Sequence, residues 1–320
     1  MPNRISPLAP ARPAAARWRP SHTGFLGGPA PILISAVMWG TTGTASSLAP
    51  AGAPAAAIGC AGLALGGILL FLTSGSARSL PATCTRAERW LFVLGAPAVA
   101  AYPVTFYPAV ARTGVAVATV IALGSAPVFS GLLSWLTGQA RPTARWTAAT
   151  AAAVLGCTLL VLGPGLTGHT APTDLTGVAL AACGGLSYAV YSLIGGRLIT
   201  RGHRSDAVMG VLFGGAGLLV LPLVLSLDTH WLATGRGAAV AVYLALITVF
   251  LAYRLFGYGL RRTPASVATS LTLGEPAVAA VLGVTVLGEH LPAVSWSGLA
   301  VLGLGLVLLA IPVGVGRRRR

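Results

Sequence analysis

The sequence has little charge and almost no acid. Only 8% of its 320 residues are charged, against roughly 25% in an ordinary soluble domain, and lysine is absent altogether. The six acidic residues are Glu88, Asp174, Asp206, Asp228, Glu275 and Glu289. So little polar material cannot cover a globule of this length, which excludes an ordinary water-soluble domain. Cysteine is scarce too, and Cys60, Cys84, Cys157 and Cys183 form neither a metal-binding spacing nor a disulfide framework. The histidines, His22, His169, His203, His230 and His290, fall in tails and loops, which argues against a metal centre and a histidine proton relay. No Walker motif, Rossmann glycine signature or nucleophile elbow stands in its proper context. ATP drive would need another chain, and no cofactor is expected.

What the chain does have is apolar length. Hydrophobic residues make up 55% of it and the mean hydropathy is +0.82. Runs near the ~20 residues needed to cross a bilayer follow one another at 26–48, 54–74, 90–110, 114–136, 147–166, 175–196, 207–227, 238–259, 265–286 and 294–315. Unbroken apolarity predicts helices, since barrel strands would alternate and each amide in hydrocarbon must be satisfied within its own segment. The 42 glycines fit close helix–helix contact in a membrane. The fold class is therefore an all-α polytopic membrane protein.

The net charge of +15 does not point to nucleic acid, because the arginines are distributed for topology. With the amino terminus in the cytoplasm, Arg4, Arg12, Arg17, Arg19, Arg78, Arg86, Arg89, Arg141, Arg145, Arg197, Arg201, Arg204, Arg261, Arg262 and Arg317 to Arg320 all lie inside, which is 18 of the 21. Arg112 and Arg236 lie outside and Arg254 falls within a helix. This is a strong positive-inside asymmetry, placing both termini in the cytoplasm. Residues 1–25 read as a disordered cytoplasmic tail and 316–320 as a basic one that can touch anionic headgroups.

Sliding the chain by 150 positions aligns its halves without a gap. Arg112-Thr113 returns as Arg262-Thr263, Val117-Ala118-Thr119 as Val267-Ala268-Thr269, and Gly138, Pro142 and Trp146 as Gly288, Pro292 and Trp296. The repeat predicts two five-helix units, 26–167 and 168–315. Five crossings are odd, so the second unit runs in the opposite sense, and the halves are inverted repeats with a site expected near mid-membrane between them. Glu275 aligns with Ser125 and Glu289 with Gln139, so the carboxylates belong to one half only.

This arrangement, with "WGTTG" at 39–43, "LAYRLFGYGLRRTPASVA" at 251–268, then "GEPAVAAVLG" and "LGEHLPAVSWSGLAVLGLGLVLL", resembles the EamA-type members of the drug/metabolite transporter superfamily from about residue 26 to residue 315. The resemblance implies a bacterial inner-membrane carrier, often an exporter of amino acids or related metabolites, with some importers and drug exporters. The family's Glu-Pro falls on Glu275-Pro276 and its Gly-Glu on Gly288-Glu289. Gln139 departs from the carboxylate that members commonly carry in the first copy, and "APVF" at 126–129 keeps the proline alone.

Glu275 falls near mid-bilayer, where a charge costs at least about 2.5–3.5 kcal/mol. It must face the bundle interior, find a partner or take up a proton, serving either as a substrate or proton site or as a structural hydrogen bond at the break expected at Pro276. Arg254 sits at comparable depth, so it can pair with Glu275, bind a substrate carboxylate, or be a structural or snorkelling arginine. Trp39, Tyr188, Tyr191 and Tyr253 can wall a cavity or simply pack; Ser125 can add a hydroxyl or bond its own helix. Glu289 is expected at the outer interface. Together these predict a secondary transporter of a small polar metabolite, driven by protons or by the substrate gradient. The other classes weighed are an intramembrane enzyme acting on a lipid or isoprenoid, whose carboxylates should not be dispersed as Asp174, Asp206 and Asp228 are, and a non-transporting membrane scaffold.

Overall fold

The structure is a computed structural model that describes residues 25–139, 141–162, 174–286, 288 and 290–311. The two terminal tails and Glu289 lie outside the described residues. Among those described there are only helices and turns. The spans are α1 (Pro29–Gly40, continuing as Thr42–Ser47), α2 (Ala55–Thr73), α3 (Arg86–Val115), α4 (Val117–Leu136), α5 (Ala144–Leu162), α6 (Leu175–Thr200), α7 (Ser205–Ser226), α8 (Gly235–Leu260), α9 (Ala265–Val286) and α10 (Ala293–Ala310). Nine of these, α2 to α10, are long and apolar enough on their own to cross a membrane. α1 is the tenth; it is broken at Thr41, so neither piece alone is long enough.

Helix starts follow local chemistry. Thr85 caps α3 in a reciprocal capping box with Glu88. The second Glu88 oxygen lies 3.3 Å from His203 Nε2 and 3.6 Å from Arg201, tying the start of α3 to the α6–α7 turn. Asp174 caps α6, accepting from the amides of Thr176 and Gly177, and it also meets Arg112 at 3.2 Å. The Gly177 amide, then Arg112, hold its carboxyl below the usual carboxylate range. The α3–α4 turn pivots on Gly114, whose φ of 81° lies in the left-handed region that costs glycine no steric penalty. Replacing Thr85 by alanine removes the α3 cap and is expected to lower stability by about 1 kcal/mol, read as an earlier thermal transition in detergent.

The halves pack as the inverted repeat requires. At the start of α1, a Cβ on Gly28 would come within 2.6 Å of the Thr263 hydroxyl and 3.4 Å of Arg262. At the start of α6, one on Gly177 would come within 2.5 Å of Thr113 and 2.9 Å of Arg112. Arg112-Thr113 and Arg262-Thr263 are repeat mates, so each half seats its partner's first helix with the same dipeptide. Equivalent helices also face each other directly: α2 against α7, and α5 against α10. At Gly156 of α5 a Cβ would overlap the Leu302 amide and lie 2.7 Å from the Gly298 carbonyl, so these backbones touch. Small residues give transmembrane helices this approach where lipid supplies no hydrophobic drive.

Two bends distinguish the halves. α3 carries Pro97, Pro103 and Pro108, whereas α8 has no proline and instead winds as a π-helix over Leu244–Leu251. α9 is interrupted at Thr272-Leu273, between Ala265–Leu271 and Gly274–Val286. The Leu273 amide turns back to the Ser270 carbonyl and the Glu275 amide to Thr272. The break expected at Pro276 is thus present, displaced toward the preceding turn, because proline disfavours helical geometry on its N-terminal side.

Candidate functional site

These bends surround a cavity of about 210 Å³. Its walls come from α1 (Trp39, Thr42), the first half of α2 (Gly59, Gly62, Leu63) and the second half of α3 (Val99 to Tyr107). Further lining comes from the start of α4 (Thr119, Leu123), from Tyr188 and Tyr191 of α6, Phe213 of α7, Leu244 to Tyr253 of α8, and Glu275 of α9. Thr119 and Gly59 stand within about a turn of the ends of α4 and α2. The cavity therefore runs from mid-bundle toward the face that carries the α1–α2 and α3–α4 turns, away from the arginine-rich face.

Hydrogen bonds hold its walls in register across four helices. The Trp39 indole donates to the Thr248 carbonyl at 2.7 Å, inside the π segment. The Tyr188 hydroxyl donates to Thr272 Oγ1 at 2.8 Å, at the α9 break. Tyr191 and Tyr253 share a hydroxyl–hydroxyl bond of 3.0 Å. Around these bonds the rings interlock: Trp39 and Tyr253 at 4.8 Å between centroids, Phe213 and Tyr253 at 3.9 Å, and Tyr102 stacked on Phe106 at 5.5 Å. The Tyr191–Tyr253–Phe213 group, with Phe256 wholly buried beside it, closes the cavity on its arginine-rich side.

Glu275 lies where the broken helix resumes, half-buried and lining the cavity. Among the described residues its carboxylate has neither an ion-pair partner nor a side-chain hydrogen bond. α1 comes close at this point because residue 40 is glycine; a Cβ there would lie 2.8 Å from the Glu275 carbonyl oxygen and 2.6 Å from Val278. Pro276, the next residue, is buried.

Of the residues singled out from sequence, Trp39, Tyr188, Tyr191, Tyr253 and Glu275 come together at this cavity. Two do not. Arg254 turns from it: its guanidinium sits 5.3 Å over the Phe250 ring and 3.5 Å from the Thr73 hydroxyl. The pairing with Glu275 that equal depth allowed is absent, because depth along a helix says nothing of azimuth. Tyr253 faces the cavity, and the next residue points about 100° away. Ser125 packs beside Gly185 of α6 and bonds the Ala122 carbonyl at 3.3 Å within its own helix. Arg254→Ala is accordingly expected to leave solute binding at the cavity within about twofold of the wild type, the range of substitutions away from a site. A larger loss in a binding titration would return Arg254 to it.

Sequence reading missed Tyr102, Phe106, Tyr107 and Thr248. Tyr102 and Phe106 are one helical turn apart in "AYPVTFYP", a spacing that puts both on one face. It also missed the convergence of His203 with Cys84 and Glu88, whose ligand atoms lie within 4.8 Å of one another. The Glu88 oxygens there are already engaged by Thr85, His203 and Arg201, and the group acts as a brace between α3 and the α6–α7 turn.

The profile of the EamA-like transporter family matches residues 28–162 and 175–311. The chain is 38% identical over 282 residues to the uncharacterised transporter YwfM of Bacillus subtilis (strain 168), covering 87% of this chain and 92% of that one. It is 34% identical over 139 residues to the threonine/homoserine exporter RhtA of Salmonella typhimurium (strain SL1344), covering 43% and 44% of the two chains. A solved crystal structure superposes with a TM-score of 0.72 over 87% of this chain and 94% of that one, at 20% identity, which speaks for the fold alone. Matches to both repeats and to a relative along nearly its whole length show that the chain belongs to the EamA-like transporter family of the drug/metabolite transporter superfamily.

Proposed function

We propose that this transporter moves a small polar metabolite bearing an amino group, an amino acid or a related compound, by alternating access, with Glu275 exchanging a proton for the substrate. The observation that carries the reading is the unpaired Glu275 carboxylate, set at a helix break and facing a cavity between inverted halves. A charge held in that position without a protein partner is costly, and a ligand or a proton relieves the cost. The partial likeness to an exporter of threonine and homoserine supports the substrate class and an outward direction.

With the arginine-rich face in the cytoplasm of a bacterial inner membrane, and both termini there, the described conformation faces outward. The Tyr191–Tyr253–Phe213 group is then the inner closure that must part when the halves rock. Proton and substrate compete for one carboxylate, so acidifying the side from which substrate is loaded should raise the apparent KM and leave the maximal rate little changed. Initial rates over a pH series would show this, and a constant KM would remove the exchange step.

The transport reading is tested in proteoliposomes with a pH-sensitive dye inside. Pooled amino acids and related metabolites should produce a substrate-dependent pH change with the wild type, and none with a folded Glu275→Gln variant. Equal signals from both would reduce Glu275 to a structural residue.

A further inference from the structure

The charge inventory of the cavity narrows the substrate. Among the described residues its lining holds one carboxylate, Glu275, and no arginine, lysine or histidine. The nearest sequence candidate for a basic partner, Arg254, is held outside by Thr73 and Phe250. The backbone offers little to replace it. At the α9 break the Leu273 and Glu275 amides already bond the Ser270 and Thr272 carbonyls, and Pro276 has no amide hydrogen, which weakens this helix start as the anion seat that helix N-termini often provide. The Trp39 indole and the Tyr188 hydroxyl are likewise spent on Thr248 and Thr272. What remains are neutral hydroxyls such as those of Tyr102 and Thr42, together with the faces of the aromatic rings.

Those rings carry electron-rich faces that attract cations, most strongly where water is excluded. A carboxylate brought among them would meet Glu275 and no counter-charge, which is the expensive way to bury an ion.

We infer that the site takes organic cations, amines without a carboxylate of their own, in preference to zwitterionic amino acids. The ammonium sits against Glu275, and an apolar or aromatic body lies among Trp39, Tyr102, Phe106 and Tyr253. The volume of about 210 Å³, below the roughly 300–1,000 Å³ of drug-sized pockets, suits one small amine. This rests on the cavity being the transport site, and it narrows the amino-bearing metabolite of that reading toward compounds without a carboxylate.

The test uses three probes with the same ring and different charge: phenethylamine, phenylalanine and 3-phenylpropionate. Binding of each to the purified full-length protein in nanodiscs is measured by calorimetry, and counterflow of each is followed in proteoliposomes. Phenethylamine is expected to bind at least tenfold more tightly than phenylalanine, with phenylpropionate weakest. Glu275→Gln should abolish the preference, and Glu275→Asp, which keeps the charge and serves if the glutamine variant misfolds, should retain it. Phenylalanine binding as tightly as the amine, an amine preference that survives Glu275→Gln, or no binding of any probe would each overturn the inference. The two readings fail separately: amine binding without counterflow removes the carrier and leaves the cation site, whereas counterflow of phenylalanine without amine preference does the reverse.

Discussion

Glu275→Gln is expected to keep the protein folded in the membrane while lowering substrate-coupled transport by between about thirtyfold and several thousandfold. Truncating one member of a desolvated, hydrogen-bonded charge pair costs roughly 2–5 kcal/mol, and each 1.4 kcal/mol is a factor of about ten. In the proposed cycle the second member is the substrate, so the loss falls on affinity and turnover and not on the fold. No described side chain bonds the carboxylate, so an amide of nearly the same shape orphans nothing. The measurement is the initial rate per correctly inserted molecule, with size-exclusion profiles as the control for folding. A variant that keeps its profile and its rate would remove the carboxylate from the transport cycle.

Gly156→Leu is expected to have the largest effect on stability. A Cβ at this position overlaps the Leu302 amide and approaches the Gly298 carbonyl at 2.7 Å, and these are backbone atoms that no rotamer change can move. Overpacking typically costs about 1–3 kcal/mol; separating two helices that touch along their backbones lies at or beyond the upper end. The same seam includes Gly305, where a Cβ would stand 2.7 Å from the Ala153 amide, so substitutions at the two glycines should not be additive. Gly303, two residues away on α10, has open space where its Cβ would go. Gly303→Leu should therefore leave the thermal transition in detergent near that of the wild type, while Gly156→Leu lowers it by many degrees or prevents purification. Equal behaviour of the two variants would show that the α5–α10 seam is looser than its geometry.

The parts of this fold that were legible in the sequence are those fixed by bulk solvent and by symmetry. Apolar length placed the spans, and Arg112-Thr113 with Arg262-Thr263 gave away the repeat before their matching contacts with Gly177 and Gly28 were visible. Glu275 was legible as an interior residue because a charge in that run has nowhere else to go. Arg254 misled for a physical reason: a long cationic side chain on an apolar helix can lie along a ring face and a threonine hydroxyl, so its depth did not fix its partner. Tyr102 and Phe106 went unseen because they sit among prolines that a one-dimensional reading takes as bends. The bend in α8 left no trace at all, since "LALITVFL" contains neither proline nor glycine.

That π segment makes the site depend on length as much as on residue identity. A π turn accommodates a residue beyond the α-helical repeat. Losing Ala252, which stands in ordinary α pitch just past that segment where no π turn absorbs the change, would swing everything downstream by about 100°. Tyr253 and Phe256 would leave the cavity and the inner closure, with every side chain of the site unchanged. A sequence comparison that tolerates single-residue gaps in apolar helices would score such a chain as a near-identical relative, although it would have lost the Tyr253 wall of the cavity. In this half of the protein the spacing of residues is therefore itself a functional determinant, of a kind that substitution scanning does not detect.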